Sequence, residues 1–205
     1  MRRVLAGLLA TALTCAGCAG SLLESDATAP ETYRLEGVAT TDRGDRLPLA
    51  LSVVRPRAAA ALDSERIAVV QSDSRFDHFS GIRWSEPAPQ MLQQLIVRAF
   101  TADGRFEAVV AAPSRVPADL VLDVELRRFE ASYEGTAAAP SVRVEMQVTL
   151  VDARQPRRIT SFVASASVVA DANRRTAVLQ AFERATAAAL DETVSRVRAA
   201  VAPAG

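Results

Sequence analysis

Three consecutive stretches in the second half of the chain alternate apolar and polar residues. Leu120, Leu122, Val124 and Leu126 alternate with Val121, Asp123, Glu125 and Arg127. Val142, Val144, Met146, Val148 and Leu150 alternate with Arg143, Glu145, Gln147 and Thr149, and the pattern repeats more weakly from Ile159 to Val168. A period of two sends successive side chains to opposite faces of a strand. Each stretch therefore predicts a strand with one buried and one mostly wet face. Gly135, Pro140 and Pro156 fall in the connections and suit hairpin-type turns. The three strands are expected to form an antiparallel meander.

Shorter apolar runs come earlier. Leu47 to Val54 and Arg66 to Gln71 are rich in β-branched residues and predict buried strands, and Phe106 to Ala111 predicts a further strand. Arg75 to Phe79 alternates like an edge strand that Gly81 breaks, which leaves Ser74 to Glu86 as a loop. Ser85 suits an N-cap, and Glu86 and Pro87 suit a first helical turn. Leu92, Leu95, Ile96, Ala99 and Phe100 follow at helical spacing, so the pattern predicts a helix over Pro87 to Ala102, ended by Asp103-Gly104. A second helix is expected over Asn173 to Val201, where Leu179, Phe182, Thr186, Leu190, Val194, Val197 and Val201 mark one face. The expected fold is α+β. An antiparallel sheet, made of the meander and shorter N-terminal strands, is packed by two helices, the longer one C-terminal.

The first residues follow none of these periods. Arg2 and Arg3 precede an apolar run from Val4 to Thr14, too short to cross about 30 Å of hydrocarbon and matched to a signal-peptide core. Ala16 and Gly17 place small residues before Cys18, as in a lipoprotein cleavage site, although Cys15 stands where a leucine is usual. The expected organisation is a signal peptide over 1–17, a lipidated tether over 18–32, a domain over 33–201 and a tail over 202–205. The alternative is an ordinary signal peptide with two bystander cysteines. Lipidation at Cys18 would remove Cys15 with the leader and leave no thiol pair for a disulfide. Ala19, in place of a retaining aspartate, points to the outer membrane.

The 205 residues carry 24 basic and 24 acidic side chains, so the balance offers no electrostatic reason to bind nucleic acid. One histidine, His78, leaves little material for a nucleophilic triad, and no Gly-x-Ser-x-Gly elbow accompanies it. One histidine and two cysteines leave no zinc cluster, and no cofactor is expected. Asp123, Glu125 and Arg127 against Arg143 and Glu145 are expected to be cross-strand ion pairs. Phe76, Phe79, Arg83 and Trp84 are the candidate partner contacts, because aromatics and arginine most often anchor interfaces. Trp84 equally suits an anchor packed under the first helix. The alanine flank of the last helix (Ala181, Ala185, Ala188, Ala189) suits either its own sheet or a neighbouring subunit.

Several short motifs recur in the order of one family. They are the lipidation site, Tyr33-Arg34-Leu35, Val54-Arg55-Pro56, Ile67-Ala68-Val69-Val70 and Ile82-Arg83-Trp84-Ser85-Glu86-Pro87, then Phe106-Glu107-Ala108-Val109, Ala118-Asp119-Leu120-Val121-Leu122 and the Ala-rich last helix. The chain resembles the ABC-type transport auxiliary lipoproteins, a family that includes paraquat-inducible protein C-like lipoproteins, over nearly its whole length. The resemblance implies a non-enzymatic accessory, anchored in the outer membrane on its periplasmic side. It would serve a system in which an ATPase, a permease and a periplasmic MCE-domain protein carry lipid between membranes. A matching homo-oligomeric ring is the simplest closed partner for a ring of MCE domains. The alternative is an envelope assembly or structural lipoprotein unrelated to lipid transport. The chain lacks the phosphate-binding loop and Walker lysine of an ATPase.

Overall fold

A computed structural model describes residues 29–37, 46–135 and 137–202. The expected signal peptide, Cys18 and most of the tether lie outside them. Nine strands and two helices follow in the order β1 (Glu31–Tyr33), β2 (Leu47–Val53), β3 (Arg57–Ala58), β4 (Arg66–Val70), β5 (Phe76–Trp84), α1 (Ala88–Asp103), β6 (Phe106–Ala111), β7 (Leu120–Ser132), β8 (Ser141–Asp152), β9 (Arg157–Val169) and α2 (Arg175–Val201). This is an α+β fold whose longer helix is C-terminal.

The meander forms as the alternation predicts. β7 pairs antiparallel with β8, setting Leu122 opposite Leu150 and Val124 opposite Val148. β8 pairs antiparallel with β9, setting Met146 opposite Ala164. The rest of the sheet corrects the antiparallel expectation, because the sheet is mixed. Along its other edge β7 carries three short strands end to end, all parallel to it. Leu51 of β2 faces Leu120, Arg57 of β3 faces Glu125, and Ala68 of β4 faces Glu130. β6 adds parallel to β2, β5 antiparallel to β4, and β1 parallel to β5. A period of two reports which face of a strand is buried. It carries no record of the partner or its direction, and parallel pairing requires a crossover that only the whole chain defines.

Both helices cover one face of the sheet, α2 over β8 and β9 and α1 over β6 and β2. Leu122, Val124, Val144, Met146 and Val148 project into this layer with Leu92, Ile96, Phe100 and Phe182, and all are essentially inaccessible. Ala181, Ala185 and Ala189 are buried there too, so the alanine flank lets α2 settle closely on its own sheet, while Ala188 faces out. On the opposite face the meander presents small polar groups to solvent. Ser141 and Ser167 hydroxyls lie 2.8 Å apart, and Thr149 and Ser161 hydroxyls 3.0 Å apart.

Local corrections have local causes. Pro87, not Ser85, holds the N-cap position of α1, which begins at Ala88, while the Ser85 N–H still donates to the Tyr33 carbonyl of β1 at 2.7 Å. The helix ends as expected. Gly104 takes the left-handed conformation (φ 70°) and donates its N–H to the Phe100 carbonyl. Gly81 does not break β5. It sits at φ +72° inside a register irregularity that places Arg66 opposite Arg83 but Ala68 opposite His78, so the strand bulges and continues. Ordered strand begins at Glu31, two residues before the expected domain start. The Glu31 carboxylate accepts from the Tyr33 hydroxyl and the Arg175 guanidinium, each at 2.6 Å. First the hydroxyl and then the guanidinium hold that carboxyl below its usual range.

Candidate functional site

The four candidate contact residues all fall on β5, and the structure separates them. Trp84 is fully buried, with ring centroids 5.6 Å from Phe129 and 5.2 Å from Phe182. A side chain inside the core cannot anchor a partner, so Trp84 leaves the contact set and takes the packing role. Its indole N–H finds no acceptor. Phe79 packs half-buried against the core and lines a cleft of about 550 Å³ with Pro30, Arg66, His78 and Arg83. Arg83 is tied down on both sides, by Glu65 at 3.1 Å and by the Thr32 hydroxyl at 3.3 Å. Phe76 is 39% exposed near the β4–β5 turn, edge-on to His78 with ring centroids 5.3 Å apart. Phe79 and Arg83 therefore share one cleft, Phe76 stands apart at the turn, and Trp84 lies beneath.

A second, more polar cleft of about 530 Å³ lies at the other end of the β4–β5 pair, and sequence reasoning missed it. Its walls come from the β4–β5 turn (Ser72, Ser74), the end of β7 (Arg127, Arg128, Glu130, Ser132) and Arg143 of β8. Its basis is a bulge in β7. Leu126 faces Met146 and Arg128 faces Glu145, so Arg127 is an extra residue without a partner. The signal was present in the sequence. The alternation that runs through Leu126 skips two residues, not one, before Phe129.

The bulge also redistributes the expected ion pairs. Arg128, not Arg127, reaches Glu145 across the strands, at 3.7 Å. Arg127 stays with Glu125 on its own strand at 3.8 Å, Asp123 pairs with Arg57 at 3.1 Å, and Arg143 closes onto Glu134. Glu130 is only 8% exposed. Burial pushes its carboxyl above the usual range and outweighs the pull of Arg128 and Arg143. Burial also raises the Tyr133 hydroxyl, which donates to Asn173 at 2.7 Å at the rim.

Among the described residues no group of three or more His, Cys, Asp and Glu side chains is placed to hold a metal ion. No helix among them is long and apolar enough to cross a membrane. What the fold and its clefts define is a mixed-sheet α+β domain with both helices on one face and two polar clefts at the ends of one strand pair. The chain belongs to the family of the ABC-type transport auxiliary lipoprotein component, whose pattern matches residues 33–194. A Xanthomonas campestris protein of known crystal structure superposes with a TM-score of 0.74 at 25% identity, over 84% of this chain and 96% of its own. The Chlamydia trachomatis hypothetical protein CT253 superposes with a TM-score of 0.53 at 12% identity, over 77% of this chain and all 100% of its own, a likeness of fold. No curated protein matches the chain.

Proposed function

We propose that this chain is the outer-membrane accessory of an MCE-type ABC system that moves lipid between the membranes. In this reading it is held on the periplasmic side by lipid on Cys18 and performs no catalysis. The observation that carries the proposal is the family match over residues 33–194. The short apolar leader and the small residues before Cys18 support the anchor. An MCE-domain protein docks along β5, on Phe76 at the β4–β5 turn and on the cleft that Phe79 shares with Arg83. A homo-oligomeric ring of this chain would match the repeated sites of an MCE ring.

Two measurements test this. Mass spectrometry of the membrane-extracted protein should find acyl chains on Cys18, and an unmodified mature N-terminus or modification at Cys15 sinks the anchor. The protein should co-purify with an MCE-domain protein. Phe76→Ala with Phe79→Ala should weaken that association by at least about tenfold while the fold persists. A wild-type protein that recovers no MCE partner overturns the transport role.

A further inference from the structure

The polar cleft on β7 and β8 shares no residue with the β5 surface, although Ser74 on its rim lies two positions from Phe76. In a regular strand adjacent residues point to opposite faces, so Arg127 and Arg128 would not line one cavity. The β7 bulge brings both to the same cleft. Among the described residues neither guanidinium makes a hydrogen bond. Their nearest carboxylates stand at 3.7 to 3.9 Å, beyond hydrogen-bond reach. Each guanidinium carries five N–H donors, so the wall is rich in unspent donors. Arg143, by contrast, is committed to Glu134.

Glu130 supplies the opposite half. It lines the same cleft, its side chain is only 11% exposed, and among the described residues it accepts no hydrogen bond, its nearest cation being Arg128 at 3.9 Å. Its carboxylate oxygens open onto the cleft, where a ligand can supply the donors that the protein does not. An isolated anion entering the cleft would meet Glu130, and an isolated cation would meet the arginines. A group carrying both charges a few ångströms apart satisfies both. We infer that this cleft binds a zwitterion made of a phosphate and an ammonium group, the phosphate on Arg127 and Arg128 and the ammonium on Glu130. The hydroxyls of Ser72, Ser74 and Ser132 complete a polar wall for the ester oxygens. The geometry stands alone, while a lipid headgroup as the source of the zwitterion rests on the transport reading.

The test uses the whole mature protein in nonionic detergent. Calorimetric titration should show glycerophosphoethanolamine binding at least about tenfold more tightly than glycerol phosphate or ethanolamine. Arg128→Gln should weaken it roughly 10- to 100-fold, the loss of charge-assisted hydrogen bonds. Glu130→Gln should fold normally and lose the preference for glycerophosphoethanolamine over glycerol phosphate. Phosphatidylethanolamine against phosphatidylglycerol in mixed micelles identifies the source. Preference for the former supports a lipid headgroup, and binding of the soluble probe alone supports the cleft with a soluble ligand. Equal binding of glycerophosphoethanolamine and glycerol phosphate, no binding at all, or binding unchanged in both variants overturns the inference. Loss of the cleft's ligand with MCE association intact refutes the inference alone, and the converse refutes the transport role alone.

Discussion

Glu130 ties a single side chain to a measurable pH dependence. Burial raises its folded-state pKa, so the folded protein holds that proton more tightly than the unfolded chain does. Its contribution to stability is therefore present below the unfolded value and is lost as pH rises through the folded one. Glu130→Gln should equal or exceed the wild type in stability at neutral pH and should flatten the loss above the ordinary carboxylate range. Urea unfolding at pH 4 and pH 8 checks this, and a variant less stable than wild type at pH 8 refutes it. Gly37 makes a steric prediction. It adopts φ +73°, and a Cβ there would stand 2.5 Å from Leu95 Cδ2 in the core. Gly37→Ala combines left-handed strain with a clash, and should cost about 2–3 kcal/mol in chemical denaturation.

At the scale of elements, the sequence declares what each segment buries better than what it pairs with. The alternation through Leu120–Leu126 and Val142–Leu150 located β7 and β8, and the helical spacing from Leu92 to Phe100 located α1. The parallel attachment of β2, β3 and β4 to β7 was not legible, because Leu51 would be equally apolar beside any neighbour. Which candidate aromatics stay exposed was not legible. Residue type treats Phe76 and Trp84 alike, but Trp84 is buried because Phe129 and Phe182 arrive beside it from distant segments. The two helices add a prediction of their own. Asp103, fully buried at the end of α1, faces Arg198 near the end of α2 at 3.4 Å. Arg198→Ala should destabilise by about 2–3 kcal/mol, less than for a wholly buried pair because Arg198 is partly wet. Asp103→Asn together with Arg198→Ala should recover part of the loss, and a double-mutant cycle with no coupling would show that the pair is incidental.

For the whole molecule, β7 decides when folding can finish. It is the only strand among those described that joins the meander to β2, β3 and β4. Those three strands lie 50 or more positions upstream of their register partners; Leu51 and Leu120, for example, face each other across the sheet. A chain that has delivered its first hundred residues therefore holds strands with bare edges, and such edges invite aggregation. Residues 29–119 expressed alone should be insoluble or unfolded, whereas 29–202 should give a cooperative melt. Circular dichroism and gel filtration distinguish the two, and a folded, monomeric 29–119 fragment would refute the dependence. Pairing at such separations is slow. On the export route proposed above, the leading half of the chain emerges on the far side of the membrane and must wait there for its keystone, so a periplasmic holding chaperone becomes part of the protein's biogenesis.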